Sequence, residues 1–95
     1  MSNSLEFLTA SQIVKNLKKR PKNNELLILY SYYKQATCGD NKQPKPNVLT
    51  SLVTGALEKW KAWNLRRGMF VHQAEVEYIK FVNQLIKKYG VVLEK

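Results

Sequence analysis

The sequence predicts an all-α fold, a bundle of four helices, and three observations carry that prediction. Apolar residues recur at the spacing of one helix face in four separate stretches, and recognisable start or stop signals bound them. No stretch alternates apolar and polar residues as a half-buried strand does. The chain's 44% hydrophobic and 11% aromatic residues are enough for a globular core, and 95 residues are expected to make one domain, 1–95.

The first helix is predicted over about 5–18. Phe7, Ala10, Val14 and Leu17 fall at i, i+3, i+7 and i+10, and Leu5 and Ile13 widen the stripe. It runs into Lys18, Lys19 and Arg20, cations that suit a helix C-terminus, and stops before Pro21. The second, about 23–38, takes Asn23 or Asn24 as its cap and Gly39 as its stop. DNKQPKPN then reads as a loop, with Pro44 and Pro46 holding Lys45 in an extended connection. The third helix, about 53–66, aligns Leu57, Trp60 and Asn64 on one line and Lys59 and Trp63 on the next, and Gly68 closes it. The fourth, about 71–89, carries Ala74, Tyr78, Phe81, Val82, Leu85 and Tyr89 on one face. The preceding MFVHQAE offers no strong N-cap, so this helix is expected to fray at its start.

Sixteen Lys and Arg against seven Asp and Glu give a net charge of +9, which asks for an anionic partner: phosphate on nucleic acid, on lipid headgroups or on a small molecule. Cys38 is the only cysteine, so no internal disulfide can form and nothing points to an oxidising compartment. The start MSNSLEFLTASQ lacks a signal-peptide pattern, and the longest apolar run, residues 26–30, is far below the roughly 20 residues a membrane span needs. A cytoplasmic protein, monomeric for want of a heptad seam, is the expectation. Cys38 and the single histidine, His72, sit in no catalytic motif, and His72 lacks partners for a metal site. The acidic residues are scattered, so no carboxylate pair suggests acid–base chemistry, and an enzyme is not expected. One of Trp60 and Trp63 is expected in the core, with the other supporting a groove. The basic runs LKKRPK, LRRG and IKKYG come with no recognition-helix motif, so no specific nucleic acid is expected.

YSYYKQATCGD, residues 30–40, concentrates the most informative chemistry. At about 100° per residue, Tyr30, Tyr33, Lys34 and Thr37 share one helix face, whereas Ile28 and Tyr32 point the opposite way. On periodicity alone this is a core edge whose lysine snorkels to water. The same face also suits a groove in which tyrosine rings stack on a planar group and Lys34 meets a phosphate.

YSYYKQATCGDN, the P-K-P that follows, KWKAWN, Gly68 and AEVEYIKFVNQLIKKYG together closely resemble the acyl-CoA-binding protein family. That family carries Tyr-x-x-Tyr-Lys-Gln-Ala-Thr-x-Gly-Asp, then Lys-Trp-x-Ala-Trp, then Ala-x-x-x-Tyr-Ile, and the match extends over residues 7–90. The resemblance implies an up-down-down-up four-helix bundle that binds, buffers and transports medium- to long-chain acyl-CoA esters without catalysis. It implies acyl-CoA as ligand and no cofactor, with acyl-CoA-using enzymes or membranes as donors and acceptors. By motif, Tyr30, Tyr33, Lys34, Lys59 and Tyr78 would contact the adenine and the ribose 3′-phosphate, and Lys15 matches a first-helix lysine near the phosphates. The alternative is a basic helical module that binds nucleic acid or an anionic membrane surface. The chain departs from the family in PNVLTSLVTGALEKW, about three residues longer than usual, where only Lys59 remains of a lysine-rich stretch and Leu49, Leu52 and Val53 make the segment more apolar.

Overall fold

In the computed structural model, which describes residues 3–92, Ser4 caps the first helix by accepting a hydrogen bond from the Phe7 N–H at 3.1 Å. That helix, α1, spans Leu5–Ile13, shorter than the predicted 5–18. One 3-10 turn, Val14–Asn16, follows, and Leu17 then pairs antiparallel with Val91. The Val92 N–H donates to the Asn16 carbonyl at 2.8 Å and the Lys18 N–H to the Gly90 carbonyl at 2.9 Å. Backbone groups committed to residues 90–92 cannot also continue the helical ladder, which is why the first helix stops early.

Helix α2, Asn23–Cys38, matches its predicted bounds, but its cap is different. Asn23 and Asn24 lie in its first turn, and Lys22 is the N-cap, its N–H donating to Glu25 Oε1 at 2.8 Å. Glu25 also accepts from Lys88 Nζ at 2.8 Å and from the Tyr89 hydroxyl at 2.6 Å. These bonds, Lys88's first and then Tyr89's, hold the Glu25 carboxyl down at about 2. They fasten the end of the last helix to the start of α2.

The predicted third helix, 53–66, is two helices. Asn47, the last residue of the segment expected as loop, accepts from the Leu49 and Thr50 N–H groups at 2.8 and 3.3 Å and so starts α3, Val48–Thr54, before the predicted start at 53. Gly55, with φ +73°, ends α3 in the left-handed conformation, and α4, Ala56–Asn64, begins immediately after. Residues 65–68 are a turn rather than the helix's last residues. Helix α5, Val71–Tyr89, follows as predicted, and its N-cap Phe70 makes no side-chain capping bond.

Helix α2 is the centre of the bundle, packing chiefly on α5 and α4, while α1 lies against α5. The core is drawn from three helices: Phe7 and Ala10 from α1, Leu29 and Ala36 from α2, and Ala74, Tyr78, Val82 and Leu85 from α5. Among the described residues α3 packs against α4 alone.

Candidate functional site

The second half of the YSYYKQATCGDN stretch builds the frame of the site. Gln35 is fully buried, and its Nε2 donates to Asp40 Oδ1 at 2.9 Å and to the Met69 carbonyl at 2.7 Å. Asp40 Oδ1 also accepts from the Gly68 N–H at 2.8 Å, the bond that most lowers its pKa. The buried Asn41 donates to the Trp60 carbonyl at 3.2 Å, and its own carbonyl accepts from Arg67 at 2.7 Å. The indole N–H of Trp63 reaches the Gly39 carbonyl at 2.8 Å, and that of Trp60 the Gln43 carbonyl at 2.8 Å. As the sequence suggested, one tryptophan is core: Trp63 is buried and Trp60 half-buried. This network fixes α4, and the turn after it, against the end of α2.

The first half of the stretch is presented on that frame. Lys59 of α4 places its ammonium 5.8 Å from the centre of the Tyr30 ring across the α2–α4 seam. Lys34 stands 4.9 Å from the ring centre of Trp63. The Tyr33 ring, more than a third exposed, stacks on Phe7 at 5.6 Å and lies 5.9 Å from Tyr78. Burial, followed by the neighbouring Tyr33, pushes the Tyr78 hydroxyl up to about 12, so it stays protonated and able to donate. The resemblance-derived residues therefore fall into three groups: Tyr30 with Lys59, Tyr33 with Tyr78, and Lys34 over Trp63.

Two cavities run beside this face. One, of about 500 Å³, is walled by Val14, Lys15, Leu17, Arg20, Leu26 and Leu29; the other, of about 430 Å³, by Arg20, Leu26, Tyr30, Gly55, Glu58 and Lys59 among others. Arg20 and Leu26 border both, so the pair reads as one groove from Lys15 past Arg20 to Tyr30 and Lys59. Tyr33, Lys34 and Tyr78 line neither. Among the described residues, none of the six named side chains spends its ammonium or hydroxyl on a hydrogen bond or ion pair, in contrast to Lys88 and Tyr89, which are committed to Glu25.

Two residues of this groove were not picked out from the sequence. Arg20 was counted with the surplus charge of LKKRPK; its position directly before Pro21, where the chain turns from α1 into α2, was the available signal. Glu58 sets a carboxylate in the wall that holds Lys59, which no motif indicated. No group of three or more His, Cys, Asp or Glu suited to a metal ion occurs among the described residues, and no helix there is long and apolar enough to cross a membrane.

The profile of the family described as acyl CoA binding protein matches residues 4–82. The chain is 43% identical over 87 residues to an acyl-CoA-binding protein homolog of Drosophila melanogaster, covering 92% of this chain and 98% of that one. Its structure is similar to the crystal structure of Oryza sativa acyl-CoA-binding protein 2, with a TM-score of 0.81 and 32% identity over 87% of each chain. It is also similar to the solution structure of the yeast acyl coenzyme A binding protein, with a TM-score of 0.69 and 41% identity over 92% of this chain and 98% of the other. Helices α1, α2, α4 and α5 are the four members of the up-down-down-up bundle, with α3 set into the connection between α2 and α4. The relatives are named for binding and not for a reaction. The chain belongs to the acyl-CoA-binding protein family.

Proposed function

We propose that this chain binds medium- to long-chain acyl-CoA esters, one per bundle and without chemistry, and serves as a cytoplasmic buffer and carrier. The observation that carries the reading is the Tyr30–Lys59 pair, 5.8 Å from ammonium to ring centre, on the wall of a groove that Leu26 and Leu27 also line. Lys34 and Lys59 give charge-assisted hydrogen bonds to the ribose 3′-phosphate, Tyr30 and Tyr33 offer ring faces to adenine, and Tyr78 donates its hydroxyl. Lys15 serves the phosphates from the far end of the groove. The acyl chain lies against Leu26 and its neighbours, each buried methylene contributing about 0.8 kcal/mol. The described helices act as a single, monomeric binding unit, and acyl-CoA-using enzymes or membranes supply and receive the ester.

Calorimetric titration tests the reading. Lys34→Ala and Lys59→Ala are each expected to weaken binding of a long-chain acyl-CoA by about 1–3 kcal/mol. Lys80→Ala, on the exposed side of α5, should leave it unchanged. Affinity is expected to climb from free CoA through esters of increasing length and then level off. Equal affinity for CoA and its long esters, with duplex DNA competing at low salt, would instead mark a purely electrostatic binder.

A further inference from the structure

Helix α3 turns its apolar side outward. Val48, Leu52, Leu49 and Val53 fall in that angular order within an arc of roughly 140° around the helix. Their exposures are 59%, 79%, 75% and 89%, so the face is open to solvent. The other side of α3 is polar and satisfied locally: the Ser51 hydroxyl donates to the Asn47 carbonyl at 2.7 Å and that of Thr54 to the Thr50 carbonyl at 3.2 Å. An amphipathic helix with its apolar side toward water needs an occupant for that side.

The surroundings narrow the occupant. Residues 41–57 contain no acidic side chain; Lys42 and Lys45 are exposed on the limb before α3, and Lys59 and Lys61 follow on α4. Glu58 is the acid beside them, sharing a cavity wall with Lys61, Val48 and Leu52. A second copy of the chain is a poor partner, since each carries a net +9. A specific protein partner is usually gripped by aromatic or arginine anchors, and this face has only aliphatic groups. The cavity beneath α3 takes up at most half of the face: Val48 and Leu52 border it, whereas Leu49 and Val53 do not. Aliphatic side chains on a stretch of chain that carries exposed lysines before and after it match a bilayer with anionic headgroups, where shallow insertion and charge attraction reinforce each other.

We propose that α3 docks the protein on an anionic phospholipid membrane, with Leu49, Leu52 and Val53 entering at headgroup depth and Lys42, Lys45 and Lys61 meeting the lipid charges. The proposal gives a surface to the membrane exchange proposed above, and its first test needs no acyl-CoA, so the two readings can fail separately.

The test is flotation of the full chain with phosphatidylcholine vesicles, with and without phosphatidylserine. Binding to the serine-containing vesicles alone is expected, and it should decline as salt rises. The double variant Leu49→Ser, Val53→Ser should lower partitioning about tenfold, while its thermal transition and its affinity for acyl-CoA in vesicle-free solution stay those of the wild type. The charge variant Lys42→Glu, Lys45→Glu should also lower it. The proposal is overturned if the wild type ignores anionic vesicles at low salt, or if the double serine variant partitions as the wild type does. An equal loss of acyl-CoA affinity in the double variant would likewise overturn it, by assigning the face to the ligand.

Discussion

The segments on either side of residues 42–46 are held in opposite ways. At the end of α2, Gln35, Gly39, Asp40 and Asn41 make hydrogen bonds to Met69, Trp63, Gly68, Trp60 and Arg67, partners 19 to 34 positions away in sequence. In α3 the capping and side-chain bonds reach no further than four residues. Long-range bonds fix where an element stands, whereas local ones fix only what shape it has. The first segment therefore locks the spacing between Tyr30 and Lys59, on which the groove depends. The second is a formed helix on a glycine joint, free to meet something outside the bundle.

Four substitutions, read by denaturant unfolding, would sharpen or break this contrast. Trp63→Ala should cost most, about 3–5 kcal/mol, because it removes a buried indole and its bond to Gly39. Gln35→Ala should cost about 1–3 kcal/mol, since it removes a buried amide that donates to both Asp40 and the Met69 carbonyl. At the joint, Gly55→Ala meets no atom within 4 Å, so its cost of about 1 kcal/mol comes from the left-handed backbone alone. Leu52→Ala should stay within about 0.5 kcal/mol, as an exposed site does. A Leu52→Ala loss as large as that of Gln35→Ala would make α3 part of the core, and the contrast would collapse.

The same contrast explains what could be read in advance. Helices α2 and α5 kept their predicted bounds because their apolar residues repeat over four or more turns against a buried face. The family motifs pointed to Tyr30, Tyr33, Lys34, Lys59 and Tyr78 one by one, and only the folded chain discloses which of them stand together. Helix α3 was not legible as a separate element because a single cap and two turns of helix produce no inward stripe: its Val and Leu residues follow helical spacing but face solvent. The early end of α1 was hidden because its cause, pairing with residues 90–92, lies far away in sequence. Arg20 became visible as a groove residue only once two cavities were seen to share it.

The cluster at Glu25 makes the groove answer to acidity from a distance. Its carboxyl is lowered from an ordinary 4.5 to about 2, so its contribution to stability is complete above about pH 4.5 and is lost as pH falls toward 2. What it releases is the end of α5, held through Lys88 and Tyr89. The chain just beyond that end, Gly90 and Val92, bonds Lys18 and Asn16, on either side of Leu17 in the wall of the first cavity. Strong acid should therefore loosen the Lys15–Arg20 side of the groove, and Glu25→Gln should bring the same loosening to neutral pH, where the Asp40 carboxylate still holds the Trp63 side. In Glu25→Gln at neutral pH, amide exchange at Lys18 and Val92 should rise while exchange at Gly68 stays slow.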